Sequence, residues 1–515
     1  MRTRIIARNS VLRGLDLASG LVTGVITSVV VGRAMGPEVL GEYNYILWVI
    51  NTATLLAATG IPVALWKFAS QYTGAERVAE ACALIQASVW AQAVLSVFVL
   101  IVGLACVAVA TAPAQASYAY PVLFAIVPGF MMGVISAAIS TTEDVTWLVL
   151  PSVISSVVGL VGVLLTLRFG WYLPGLAWSF FISRMVDVAI RSWAFHGIFG
   201  AILKPSSRWF GLQIFTPQER RQFVRFAGQA TLLMVVQAIL WGRSEVWFLK
   251  HFRSDSEVSF FSLGFNFLDR INLVPIMLAG SVSTSMMVEF GRSKSSAGLM
   301  ALAGLRYIAL FTSPLVVGLV AVSTPLISVL YGHAFLPAIL PLVIQGVLFL
   351  PRILLQPSQD MLRAADRQDL LLKWGLILCA INLGLDAALV PWGGANGASW
   401  ANGIAQLIAT LIMWHLAIRE FRLPFPWSGL LRIMGAASAM ALIVWIAALW
   451  IPPVAVLVLA LPVGTLLFSV FLRAFRALDE RDRYRLLSLE SNIPDPIRGV
   501  YVWLVRVLAR DRVPV

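Results

Sequence analysis

Asp269 and Arg270 stand side by side in the otherwise apolar run SLGFNFLDRINLVPIML, residues 262–278. A guanidinium offers fork-like, charge-assisted hydrogen bonds that match phosphate oxygens. A carboxylate beside it can hold the guanidinium in place or take up a proton or cation. Asn266 precedes Asp269 by three residues and Arg270 by four, so on a helix the three share one polar face. Gln345, Phe349, Arg352, Gln356, Gln359 and Arg363 follow i, i+4, i+7, i+11, i+14 and i+18 spacing, which predicts a single continuous stripe. Arg13 and Asp16 lead a similar run with Gly20, Thr23 and Thr27; Asn382 and Asp386 are one turn apart, as are Asn402, Gln406 and Thr410.

These spacings predict one cavity lined by Arg13, Asp16, Asn266, Asp269, Arg270, Arg352, Gln356, Gln359, Asn382 and Asp386. Its arginines suit a pyrophosphate and its amides suit sugar hydroxyls. The competing role for each residue is ion pairing and polar packing between helices. Asp269 stays open between orienting Arg270 and serving as an ion or proton site. Arg184, Asp187 and Arg191, spaced i, i+3 and i+7, are expected to pair among themselves, whereas Arg243, Glu245 and Arg306 fall near span ends, where long side chains snorkel.

The elements that position these groups follow from composition. The chain is 59% hydrophobic and only 12% charged, with mean hydropathy +0.86, far from the roughly one-quarter charged residues of soluble domains. Apolar runs long enough to cross about 30 Å of hydrocarbon recur from 10–32 to 454–473, about fourteen in all. The alternating pattern of a transmembrane β-barrel is absent, so the expected fold class is all-α and polytopic. The basic start, MRTRIIARNSVLRG, leads into an apolar run of full span length and is read as a retained first helix. Cys82, Cys106 and Cys379 show no disulfide framework or zinc spacing, His196, His251, His333 and His415 are isolated, and no P-loop occurs. No cofactor is therefore expected, and the energy source, H+ or Na+ gradient or consumption of the transported substrate, is left open.

The formal net charge of +13 concentrates in the tails and in alternate loops: Lys67 and Arg77, Lys204 to Arg225, Arg292 and Lys294, Arg363 to Lys373, and Arg419 to Arg432. Arg33, Arg168, Lys250 and Arg253 alone fall in the opposite loops. The excess is therefore a topology signal instead of a nucleic-acid surface, and it predicts both termini in the cytoplasm. PGLAWSFF (174–181) and NGASWANG (396–403) share G-x-x-W at an offset near 220, as part of a weak collinear repeat. Six spans per repeat give two six-helix bundles of parallel topology. The expected organisation is a first bundle at 1–196, a basic cytoplasmic linker at 197–221, a second bundle at 222–418, two further spans at 419–475, and a cytoplasmic amphipathic tail at 476–515. In the tail, PIRGVYVWLVRVLARDR fits a helix on the anionic inner leaflet or one packed on the protein's own loops.

LASGLVTGVITSVVVGRAMGPEVLGEYNYILWV resembles the opening of Wzx-type polysaccharide flippases and related lipid II flippases, members of the multidrug/oligosaccharidyl-lipid/polysaccharide exporter superfamily. The resemblance rests on a G-P-x-x-x-G-x-Y turn, here Gly36, Pro37, Gly41 and Tyr43, and extends to TPLISVLYGHAFLPAILPL (324–342) and GGANGASWANGIAQ. It implies flipping or export of a polyprenyl-linked oligosaccharide across the cytoplasmic (inner) membrane for cell-surface polysaccharide biosynthesis, without catalysis. Expected partners are the lipid-linked substrate, membrane lipids, and polysaccharide polymerase or assembly proteins; nucleic acid is not expected. The alternatives are a cation-coupled drug exporter of the same superfamily, a membrane glycosyltransferase or O-antigen ligase, and a scaffold for envelope assembly.

Overall fold

A computed structural model describes residues 2–57, 60–110, 113–142, 144–200, 215–478 and 499. The expected amphipathic tail and most of the basic linker lie outside the described residues. Among these residues the chain is helical throughout, with no strand. The helices are α1 (Arg2–Ala57), α2 (Ile61–Gly74), α3 (Val78–Ala110), α4 (Pro113–Ser140), α5 (Thr146–Phe169), α6 (Tyr172–Phe199), α7 (Pro217–Trp241), α8 (Glu245–Phe252), α9 (Asp255–Ile271), α10 (Leu273–Phe290), α11 (Lys294–Ala321), α12 (Ser323–Leu330), α13 (Ile339–Arg352), α14 (Leu355–Ala364), α15 (Gln368–Phe421), α16 (Trp427–Ala448) and α17 (Pro453–Ala474), with a 3-10 turn at His333–Ala338.

Eleven helical stretches among the described residues are long and apolar enough to cross a membrane. Two of them, α1 and α15, bend through non-helical residues at Gly36 and Gly394 and each supply two spans. With α7–α8, every one of the fourteen expected spans has a helix. The chain packs as two units, residues 1–250 with 254–259, and residues 251–253 with 260–515. α7, expected at the head of the second repeat, packs on α1 and α2 in the first unit. In the second unit α16 lies on α11, and α17 on α16 and α12.

The G-P-x-x-x-G-x-Y turn has a separate physical reason for each residue. Gly36 adopts φ 83° and ψ 178°, a region open essentially to glycine, and Pro37 disfavours helical geometry in the residue before it. A Cβ on Gly41 would lie 1.7 Å from the Asp255 carbonyl oxygen, so only glycine lets the start of α9 approach this closely. Tyr43 is buried in the core. The motif that carries the family resemblance thus builds a turn and a helix contact, not a binding group.

The G-x-x-W pair has structural counterparts in both units. Gly170 (φ 68°) and Gly394 (φ 53°) take positive φ at the junction before each motif. A Cβ on Gly175 would meet the Thr166 side chain at 2.6 Å, and one on Gly397 the Leu389 carbonyl at 2.1 Å. Each glycine lets its helix close against the one before it.

Candidate functional site

Two expected site residues, Arg13 and Asp16, belong to the first unit. Both lie on α1, Arg13 exposed and Asp16 half-buried, and the Asp16 carbonyl accepts the Ser19 hydroxyl at 2.9 Å. The other eight lie in the second unit. What positions them there is a pair of broken helices. Proline cannot donate to the carbonyl four residues before it, and its ring crowds that carbonyl. Accordingly α9 stops at Ile271, four residues before Pro275, and the α13–α14 break falls at Ile353–Leu354, beginning four residues before Pro357. At the second break the Leu354 carbonyl accepts the Trp414 indole N–H at 2.8 Å, so the break is tied into the packing.

The expected stripe along 345–363 is therefore divided between two helices, which corrects the prediction of one continuous face. Its first member, Gln345, is buried and donates to the Phe261 carbonyl at 3.1 Å and to Ser399 Oγ at 2.9 Å. It ties α9, α13 and α15 together. Gln359 is half-buried on α14.

Each break places an arginine in a last helical turn: Arg270 in α9 and Arg352 in α13. The ends of interrupted helices expose carbonyls and carry partial negative charge, which a guanidinium offsets. Arg270 Nη1 donates to the Asn266 carbonyl at 3.4 Å, and the Arg352 guanidinium lies 5.3 Å from the Phe349 ring centre. The next helices, α10 and α14, begin at Leu273 and Leu355, and such N-termini carry free N–H groups that favour anions.

Asp269 and Arg270 do not share a face. Asp269 lines a narrow cleft with Arg352, Gln345, Asn402 and Gln406, in which Gln406 Nε2 donates to Asn402 Oδ1 at 2.5 Å. Arg270 instead borders an open apolar cavity of about 800 Å³ lined by α9, α11, α12, α16 and α17. Phe267, Leu310, Pro314, Met440 and Phe468 typify its wall, and Arg270 is its one ionisable group among the described residues. The step of about 100° between neighbouring helical positions is what sends the two charges to different compartments. The Asn266 contact to Arg270 is made through the main chain, which corrects the expected shared side-chain face.

Asp386 and Asn382 are fully buried on α15, Asn382 Nδ2 lying 3.5 Å from Asp386 Oδ2. Gln356 donates to Asp360 Oδ1 at 3.0 Å. Asp360 was not among the expected residues, yet this buried carboxylate also accepts Arg363 Nη1 at 2.6 Å and the Ser283 hydroxyl, joining α14 to α10. The signal was present in sequence: Asp360 is four residues after Gln356 and three before Arg363.

In the first unit Asp187 and Arg191 close on each other. Arg191 Nε donates to Asp187 Oδ1 at 2.5 Å, Nη2 to Oδ2 at 3.4 Å, and Nη1 to Ser136 Oγ at 3.0 Å. Arg184 stays out of this pair and stacks over Phe180 at 5.0 Å.

Residues 16–290 match the family model described as polysaccharide biosynthesis protein, more than half of the chain. The chain belongs to this polysaccharide biosynthesis family. A stretch of 114 residues is 32% identical to the teichuronic acid biosynthesis protein TuaB of Bacillus subtilis (strain 168), spanning 22% of this chain and 23% of that protein. The fold is similar to that of the lipid II flippase MurJ in an inward closed conformation, with a TM-score of 0.71 at 16% identity over 91% of this chain and 98% of MurJ. An inward-facing multidrug resistance transporter of the MATE family is also similar, with a TM-score of 0.61 at 17% identity over 78% of this chain and 94% of that one. At these identities the likeness concerns the fold. The protein is thus a multi-pass membrane member of the polysaccharide biosynthesis family with a MurJ- and MATE-like helical fold.

Proposed function

We propose that this protein flips a polyprenyl-pyrophosphate-linked oligosaccharide from the cytoplasmic to the outer leaflet by alternating access, for cell-surface polysaccharide biosynthesis. One observation carries the reading: the roughly 800 Å³ apolar cavity of the second unit with Arg270 in its wall. A long isoprenoid needs apolar area, and its pyrophosphate needs a guanidinium at one end. The neighbouring cleft supplies the amides Gln345, Asn402 and Gln406 beside Arg352, chemistry that suits hydroxyl-rich sugars.

Family membership and the likeness to the lipid II flippase support lipid-linked cargo over drugs, although the MATE fold is shared. Transport by this route makes and breaks no covalent bond. Basic loops on one side support a cytoplasmic-membrane orientation with both termini inside. The driving ion, H+ or Na+, is a further part of the proposal, with Asp269, which faces the cleft and not the Arg270 cavity, as its carrier. Partner polymerase or assembly proteins belong to the same proposal.

The test is reconstitution into vesicles with a fluorescent polyprenyl-pyrophosphate sugar, comparing wild type with Arg270→Ala and Arg352→Ala. Flipping by the wild type, and its loss in both variants, is expected. Unimpaired flipping in both variants would remove the site assignment. Cation-driven dye export with no lipid movement would replace the function.

A further inference from the structure

The first unit carries a second amphiphile-shaped site that none of the residues discussed above lines. A cleft of about 250 Å³ runs between α2, α3 and α7. Its wall includes Ile61 and Tyr72 of α2, eleven residues apart, so it extends about 16 Å along that helix at 1.5 Å per residue. Leu84 and Ala87 of α3 and Phe223 of α7 close its sides. Tyr72, Phe215 and Phe223 give it an aromatic floor, behind which Phe68 meets Phe223 and Phe226, each at 5.8 Å between ring centres, while Tyr72 meets Phe215 at 5.7 Å.

Charge is concentrated at the end where α7 begins. Arg220 borders the cleft, and Arg221 and Arg225 stand exposed on the same helix. The acids nearest to them are already engaged. Glu219 accepts the Thr216 backbone N–H at 2.9 Å and Arg77 at 3.2 Å, and Glu80 accepts Arg77 at 3.0 Å. Arg220, Arg221 and Arg225 form no ion pair with an acid among the described residues. Lys67 adds positive charge beside the aromatic floor, 3.9 Å from the Phe226 ring centre.

An elongated apolar slot bordered by Arg220 and by the already engaged Glu219, with Arg221 and Arg225 exposed on the same helix, matches an acyl chain attached to an anionic phosphate. We propose that this cleft seats one chain of an anionic phospholipid and that Arg220, with Arg221 and Arg225, holds its headgroup. The site differs from the Arg270 cavity in location and occupant. It couples the first unit to the charge of the surrounding bilayer.

The experiment uses the full chain in phosphatidylcholine vesicles containing a trace of phosphatidylglycerol with a diazirine acyl chain, or of phosphatidylcholine with the same chain. Label is mapped by mass spectrometry. Peptides of α2, α3 and α7 are expected to take up the phosphatidylglycerol probe several-fold more than the phosphatidylcholine probe. Replacing Arg220, Arg221 and Arg225 by Gln lowers that labelling several-fold, to the level of the phosphatidylcholine probe. Ala87→Phe, which narrows the slot, lowers it while leaving the three arginines intact. Equal labelling by both probes, or undiminished labelling in the triple variant, overturns the proposal. Displacement of the probe by polyprenyl pyrophosphate, but not by unlabelled phosphatidylglycerol, overturns it as well and assigns the cleft to cargo. The arginine variants alter surface groups only, so a matching melting temperature keeps that arm valid even where Ala87→Phe fails to fold.

Discussion

One pair of charges in the first unit and one group in the second are held inside the membrane in opposite ways. In the first, Asp187 and Arg191 are both buried, lie on one unbroken helix and satisfy each other bidentately, with Ser136 taking a remaining donor. In the second, Asp269, Arg270 and Arg352 sit in the last turns of helices interrupted ahead of prolines and border open space. A charge that closes on a partner along its own helix has nothing left to offer a ligand. A guanidinium placed at a helix break is stabilised by the partial negative charge of the exposed carbonyls while it borders space that a ligand could enter.

The largest effect expected from this contrast is on folding. Removing one member of a buried pair leaves the other uncompensated and costs about 3–5 kcal/mol. Asp187→Leu or Arg191→Met should therefore depress the unfolding midpoint severely and reduce the yield of folded protein. The double variant should recover most of the loss, because a buried pair replaced by apolar groups is often neutral. Thermal unfolding in detergent checks this. A double variant no better than either single one would mean that the pair has a role beyond satisfying itself.

Arg270→Ala is expected to behave in the reverse manner, with the fold retained and flipping reduced by about 100-fold, as for loss of a charge-assisted contact of about 1.5–3 kcal/mol or somewhat more. Arg270→Lys should recover only part, since an ammonium lacks the planar fork. A melting temperature lowered as much as in the Asp187 variants, with residual protein flipping normally, would make Arg270 a structural cap.

The helix breaks can be tested directly. Pro275→Ala and Pro357→Ala restore the missing N–H and remove a residue that is unfavourable by about 3 kcal/mol inside a helix. Stability should hold or rise, while flipping falls by about tenfold if the arginines need interrupted ends, a loss of about 1.4 kcal/mol in transition-state terms. Unchanged flipping with a continuous helix, seen as slower amide exchange around Ile271 and Ile353, would show that the arginines work without the breaks.

Most of the fold was legible because span length is set by bilayer thickness and leaves a long apolar run in the sequence. The breaks were visible in principle, since Pro275 and Pro357 stand in plain view, but a proline in a membrane helix can also be absorbed as a mild kink, and Pro314 lies within the continuous α11. Periodicity identified polar faces without showing which compartment each face meets. Asp269 and Arg270 therefore read as one group, whereas the structure sends them to different spaces. Gln345 read as one member of a polar stripe and also ties three helices together, because spacing on one helix carries no information about what packs opposite.

The smallest expected effect contrasts the buried charges with an ion pair outside the membrane. Glu219 belongs to a capping box on α7, and hydrogen bonds from Thr216, first from its backbone and then from its hydroxyl, hold the carboxyl below the usual range, with Arg77 adding to them. The folded state thus binds a proton more weakly than the unfolded chain. Its contribution is complete above the unfolded glutamate pKa of about 4.3 and is lost as pH falls through the lower folded value. Glu219→Gln should leave flipping at neutral pH unchanged, lower the melting temperature slightly there, and flatten its decline between about pH 4.3 and more acid conditions. A pH–melting curve of Glu219→Gln that declines as steeply as that of the wild type would place the acid-sensitive carboxylate elsewhere in the chain.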